Sequence, residues 1–235
     1  MKSIADNFNE VRKRITQLSV DAGRSSDEVQ LIAVSKTRSL VEVEQAIAAG
    51  QTVFAENTIQ DALTKIPLLD SAEYKNLEWH FIGHLQSKKS KQLADNFQWI
   101  HSIDSLKLAQ KLSSAMQQHK PEGVLNCLLQ VNLSGEESKS GLSKDETLAL
   151  IDELLVLGLP NLAWRGLMTI GVKDDEAGTR KVFSDLKLLL NECVRCFDIK
   201  EFDQLSMGMS NDYSIAIEEG ATMVRIGSDL FGARK

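Results

Sequence analysis

Leu31-Ile32-Ala33-Val34-Ser35-Lys36-Thr37 reads as a buried strand that delivers one lysine to its carboxyl end. The reading matters for chemistry as well as for fold, because lysine is the side chain that forms imines with aldehydes. The question for the remaining sequence is whether it builds a site around that amine.

Upstream, Ile4, Phe8, Val11, Ile15 and Leu18 recur every three or four residues, the spacing of one helix face. An amphipathic helix over residues 3–20 is therefore expected to open the chain, with Gly23-Arg24-Ser25-Ser26 breaking it before a first strand over 28–36. Downstream, helical and strand-like segments alternate. Helices are expected over 39–49, 59–69, 87–96, 105–119, 143–157, 179–196 and 214–219. Strands are expected over 53–57, 77–83, 99–103, 126–132, 162–170, 204–207 and 223–227. Ser143-Lys144-Asp145-Glu146 has the form of a capping box at one helix start.

Eight strands alternating with helices in 235 residues predict an α/β chain whose parallel sheet closes into a single (β/α)8 barrel preceded by an N-terminal helix. An open doubly wound sheet is the rival. It is disfavoured because Ser35-Lys36-Thr37-Arg38 stands where a glycine-rich phosphate loop would follow the first strand. No linker-like stretch interrupts the pattern, so residues 1–235 are read as one domain.

Composition narrows the function classes. A net charge of −6 argues against a nucleic-acid binder working through net electrostatics, and the apolar runs are too short to span a bilayer. Three cysteines and an N-terminus without an export signal fit a reducing, cytoplasmic setting. Cys193-x-x-Cys196 falls inside a helical run and lacks companion ligands for zinc, so it is read as two helix cysteines, and no metal site is expected. The run Lys88-Lys89-Ser90-Lys91 is read as a solvated helix start, and His80 as a satisfied core residue.

Barrels of this kind carry their active face at the carboxyl ends of the strands. That rule collects Lys36, Asn57, His84, Asp104, Asn132, Gly171 and two late loops at one mouth. Ser206-Met207-Gly208-Met209-Ser210 and Arg225-Ile226-Gly227-Ser228 follow strands seven and eight, where barrels commonly seat phosphate through backbone N–H groups. A lysine and a phosphate seat on one face point to a phosphorylated aldehyde.

Six stretches in order, Ala33 to Thr37, Phe54 to Asn57, Trp79 to Gln86, Arg165 to Met168, Ser206 to Ser210 and Met223 to Gly232, resemble the pyridoxal phosphate homeostasis protein family. The resemblance implies an alanine-racemase-type barrel and pyridoxal 5′-phosphate (PLP) held as a reversible Schiff base on Lys36. It implies Asn57 near the ring, phosphate held by Ser206, Met207, Gly208, Ser210, Gly227 and Ser228, and Arg225 facing the pyridine nitrogen. A permanently charged arginine there would weaken the ring as an electron sink. Ala55, Thr58 and Lys88 stand where the family usually has glycine, an aromatic and asparagine.

The function expected from the resemblance is non-catalytic holding of PLP within cellular PLP homeostasis, by a monomer that hands the cofactor to PLP-dependent apo-enzymes. Lys139, on the loop after strand five, is a candidate transient acceptor of the aldehyde. The alternative is a PLP-dependent amino-acid racemase. Resembling racemases use a tyrosine from a carboxyl-terminal domain as second acid/base; with the sequence ending at Lys235 that domain is expected to be lacking, leaving Tyr213 as the nearest substitute and Tyr74 far from the mouth.

Overall fold

The computed structural model describes residues 2–69, 72–136 and 140–233, so Lys139 lies outside the described residues. Eight parallel strands close into a barrel in sequence order: β1 Gln30–Val34, β2 Val53–Glu56, β3 Glu78–Phe81, β4 Trp99–Ile103, β5 Leu125–Gln130, β6 Leu162–Met168, β7 Gln204–Ser206 and β8 Met223–Ile226. β1 pairs on one side with β2, Ala33 opposite Phe54, and on the other with β8, Ile32 opposite Arg225. Closure leaves no unpaired strand edge, which is how a parallel sheet satisfies all its backbone groups.

The helices are α1 Ile4–Asp21, α2 Leu40–Ala48, α3 Ile59–Ala62, α4 Ser90–Asn96, α5 Leu106–His119, α6 Lys144–Leu157, α7 Glu176–Cys196, α8 Tyr213–Glu218 and α9 Ser228–Phe231. Capping boxes at Ser3/Asp6, Ser39/Glu42 and Ser143/Glu146 satisfy otherwise orphaned N–H groups at three helix starts. α1 buries Phe8, Val11, Ile15 and Leu18, and Phe8 meets Phe231 of α9 edge to face at 5.7 Å.

Two layers of apolar side chains follow from strand alternation. Ala33, Phe54, Leu129, Leu167 and Val224 face outward into the shell under the helices. Their neighbours Ile32, Val34, Ala55, Leu128, Met168 and Met223 form a separate cluster inside the barrel.

Three expectations need correction. The helix over 59–69 is broken: α3 ends at Ala62, and two 3-10 turns, Ile66–Leu69 and Ala72–Tyr74, follow. Pro67 has no N–H to continue an α-helix there. The sixth crossover helix starts at Glu176, before Thr179, because Asp175 caps it by accepting from the Gly178 N–H. Finally, the helices read from the sequence end with 214–219, and the structure adds α9 at Ser228 directly after β8.

Between β5 and β6 the register shifts from Cys127 opposite Trp164 to Leu128 opposite Gly166. Gly166 has φ +150°, and a Cβ on it would lie 2.0 Å from the Gln204 carbonyl oxygen of β7. Gly166→Ala must therefore push two strands apart. It is expected to destabilise the protein by about 2–3 kcal/mol in urea unfolding, the range for an overpacked core with backbone strain.

Candidate functional site

A cavity of about 690 Å³ opens at the carboxyl ends of the strands, and its wall includes Lys36, Ile170, Ser210, Arg225, Gly227 and Ser228. Five of the expected site residues, Lys36, Ser210, Arg225, Gly227 and Ser228, thus share one wall. Asn57 closes β2 at the same end of the barrel but is not among the lining residues. Its backbone is pressed against Gly83, where a Cβ would sit 1.9 Å from the Asn57 carbonyl oxygen. His84 is exposed and also stands off the lining.

The first late loop divides its labour. Ser206 and Met207 are fully buried. The Ser206 hydroxyl is engaged inside the barrel, accepting from Arg225 Nη1 at 2.6 Å and lying 2.8 Å from His101 Nδ1. The Gly208 carbonyl accepts the Arg225 N–H at 2.9 Å. Of this loop, Met209, Ser210 and Asn211 reach the cavity. Asp212 holds the turn by accepting the Met209 N–H at 2.6 Å. Burial pushes the Asp212 carboxyl up from its ordinary value, against the pull of that N–H and of Arg225.

Arg225 is 4% exposed and donates through Nη2 to the Thr169 carbonyl at 2.9 Å. Burial lowers its pKa to about 10, with Asp212 opposing, so it remains a cation at neutral pH. A buried guanidinium held by a hydroxyl and a carbonyl has a fixed direction, and here it borders the cavity.

Lys36 stands two residues beyond the end of β1, at the head of a braced turn. Lys65, 1% exposed, donates from Nζ to the Ser35 carbonyl at 2.8 Å and to Glu56 Oε1 at 2.7 Å, and lies 3.1 Å from Asp61 Oδ1. Glu56 Oε1 also accepts the Ser35 hydroxyl at 2.7 Å. On the other side of Lys36, Asp61 Oδ2 accepts the Thr37 N–H at 2.6 Å, and Thr37 takes φ +63°. A non-glycine residue in that conformation is strained and persists only where its surroundings hold it. Both neighbours of Lys36 are therefore pinned by one buried charged group.

This brace escaped the sequence reading. Glu56 gave a faint signal, a carboxylate in an otherwise apolar strand, while Lys65 looked like one more polar position on a helix that the structure shows to be broken. Burial raises the Glu56 pKa to about 7, against the attraction of Lys65 and its hydrogen bonds. Burial also pushes Asp61 up, but the Thr37 N–H, Glu56 and Lys65 outweigh it and leave its pKa below the usual value.

His80 is fully buried with both ring nitrogens bonded, to Glu78 and to His101, the satisfied core residue expected. Cys193 and Cys196 lie on α7, the first buried with its thiol pushed up to about 12 by burial, the second exposed. Among the described residues no cluster of His, Cys, Asp and Glu could hold a metal ion, and no helix is long and apolar enough to cross a membrane. Tyr213 begins α8 but does not line the cavity; the charges around its phenol are Asp229, Arg14 and Glu10, on α9 and α1.

Comparison with known proteins matches this geometry to a family. The family model described as "Alanine racemase, N-terminal domain" matches residues 2–235. The pyridoxal phosphate homeostasis protein of Pseudomonas aeruginosa is 46% identical over 240 residues, covering 100% of this chain and 97% of the relative. That of Escherichia coli K12 is 41% identical, covering 100% and 98%. The structure of PipY from Synechococcus elongatus, solved with PLP bound, superposes with TM-score 0.85 at 32% identity over 98% of this chain and 100% of that one. An alanine racemase from Clostridium difficile shares the fold, with TM-score 0.72 at 15% identity over 94% of this chain and 59% of the other. With the family model matched over residues 2–235 and relatives above 40% identity covered almost end to end, the chain belongs to the pyridoxal phosphate homeostasis protein family, built on the alanine racemase N-terminal domain fold.

Proposed function

We propose that this chain holds pyridoxal 5′-phosphate at the barrel mouth and serves its homeostasis, with Lys36 as the covalent tether. The observation that carries the reading is the common wall of the cavity, on which Lys36, Arg225, Gly227 and Ser228 border one space. The residues present fit the group: an amine for the aldehyde, two loop ends for the phosphate, and a fixed cation for the ring edge. When bound, the cofactor supplies an aldehyde that a lysine amine takes up reversibly as a Schiff base.

The other steps belong to the chain. The Lys65 brace orients the turn that carries Lys36. Ser210, Gly227 and Ser228 bound the phosphate end, where loops after strands seven and eight of such barrels bind anions through backbone N–H groups. Arg225, a cation that only donates hydrogen bonds, would offer an N–H to a bare ring nitrogen and no acceptor to a protonated one, so that edge would stay unprotonated, which limits carbanion chemistry and favours holding over turnover. Asn57, just past the end of β2 and off the cavity wall, would act from behind the ring through its backbone packing on Gly83, and the buried Ser206, Met207 and Gly208 act by shaping the loop and seating Arg225.

A racemase needs a second acid/base across the ring, and the setting of Tyr213 against α1 and α9 charges supports the non-catalytic reading. We place the chain as a monomer in the cytoplasm, passing its cofactor to PLP-dependent apo-enzymes. Borohydride reduction of the PLP-loaded protein followed by peptide mass spectrometry is expected to put the pyridoxyl adduct on Lys36. Incubation of the loaded protein with L- and D-alanine is expected to leave their chirality unchanged. An adduct confined to another lysine would overturn the tether, and chiral inversion would overturn the non-catalytic role.

A further inference from the structure

Arg225 is the near end of a hydrogen-bonded chain that crosses the barrel interior. Arg225 Nη1 donates to Ser206 Oγ at 2.6 Å, Ser206 Oγ lies 2.8 Å from His101 Nδ1, His101 Nε2 lies 2.8 Å from His80 Nδ1, and His80 Nε2 lies 2.8 Å from Glu78 Oε1. Ser206 and both histidines are fully buried, and Trp99 stacks on His80 with ring centroids 5.2 Å apart. Glu78 begins β3, so it stands at the amino-terminal rim, opposite the cavity, and its side chain is 35% exposed.

The protons of this chain have one self-consistent arrangement. An ionised carboxylate only accepts, so His80 must carry its proton on Nε2. Burial lowers the pKa of His80, and burial together with the positive charge of Arg225 and the neighbouring His80 puts that of His101 well below its ordinary value, so both rings are neutral. A neutral ring protonated at Nε2 accepts at Nδ1. His80 Nδ1 therefore takes the His101 Nε2–H, His101 Nδ1 takes the Ser206 O–H, and the Ser206 oxygen is left to accept from Arg225. All four bonds run the same way, from a cation beneath the mouth to an anion at the far rim, and bonds aligned in series polarise one another.

We propose that Glu78 is a positioning residue for Arg225: its carboxylate sets the tautomers of His80 and His101 and, through Ser206, the presentation of the guanidinium in the cavity at the opposite rim. The proposal deepens the PLP reading above, and rests on it for what the guanidinium faces. It assigns Glu78, His80 and His101 a part at a site none of them touches. A network that merely fills the interior would be indifferent to which way its protons point.

Nitrogen-15 NMR of the apo-protein reads those protons directly. Both imidazoles are expected with Nε2 protonated and Nδ1 bare. Glu78→Gln is isosteric but offers an amide that donates or accepts, so it is expected to give mixed tautomers at His80 and at His101 alike. Glu78→Asp, still acceptor-only, is expected to retain the parent tautomers. In the loaded protein, Glu78→Gln is expected to weaken PLP binding about five-fold, at the low end for coupled sites. The effect is expected to vanish in a Ser206→Ala background, where the chain to Arg225 is cut. A parent His101 protonated on Nδ1, a His101 tautomer indifferent to Glu78→Gln, or an undiminished binding effect in the Ser206→Ala background would each overturn the proposal. Failure of the PLP reading itself would look different: no adduct on Lys36, with the histidine signals still answering to Glu78.

Discussion

A Lys36→Ala protein is expected to lose entirely the absorbance band that lysine-bound PLP gives the parent, at every cofactor concentration, and to retain only background cofactor through desalting. Lys36→Arg is expected to behave identically, because a guanidinium keeps the positive charge yet is never deprotonated and so cannot attack an aldehyde. The pair of variants separates a nucleophilic amine from a simple counter-charge for the phosphate. Lys65 cannot take over, since it is 1% exposed and committed to Glu56, Asp61 and the Ser35 carbonyl; Lys173, the other lysine on the cavity wall, is the position at which a residual band would be sought. Both variants are expected to unfold in urea close to the parent, as Lys36 lies beyond β1 on the cavity wall. An unchanged band in either one would remove Lys36 from the chemistry.

Lys65→Met is expected to cost about 3–5 kcal/mol in urea unfolding, the usual penalty for removing one partner of a buried ion pair. Methionine fills much of the space but leaves Glu56 and Asp61 facing each other and the Ser35 carbonyl without its donor. The pH dependence identifies the cause. The Glu56 carboxyl titrates near pH 7 in the folded chain and near 4.5 when unperturbed. Between those values the native state holds a proton that the unfolded chain has shed, so this group favours folding at low pH and its contribution is lost as pH rises through about 7. Without Lys65 the carboxyl is pushed higher still and the loss continues above pH 7. The deficit of Lys65→Met relative to the parent is therefore expected to be larger at pH 8 than at pH 5.5. A deficit that does not vary with pH would place the cost elsewhere than on Glu56.

Much of this architecture was legible because barrels repeat one simple unit. Apolar runs such as Leu31 to Val34 and Cys127 to Leu129, punctuated by helix faces such as Ile4 to Leu18, carried strand count and order with no knowledge of contacts. Lys36, Arg225 and Gly227 were legible as a group because the ends of parallel strands meet at one rim. What the sequence did not disclose depends on tertiary partners. Lys65 is a brace only because Pro67 breaks its helix and the chain folds back over Ser35. Ser206 looked like a phosphate ligand, since a serine in a glycine-containing loop fits that part, yet it lies at an inward-facing strand position and its hydroxyl oxygen accepts from Arg225. His101 alternates inward with the same phase as its neighbour on β3, a signal readable once the strands are placed side by side.

The closed pairing of the strands has a consequence for how a cargo would leave. β1 is bonded along both edges, to β2 and β8, and the Ser35 N–H just before Lys36 is bonded to the Ala55 carbonyl at 3.0 Å. Local breathing draws on segments with few shared bonds, and a strand seated between two others opens only with the whole barrel. The floor beneath Lys36 is thus expected to open only with the barrel as a whole. If Lys36 tethers PLP as proposed, release is expected to be governed by bond exchange at the amine and by the loops of the rim, with the rate of hand-over set by nucleophiles arriving at the mouth and not by fluctuations of the scaffold.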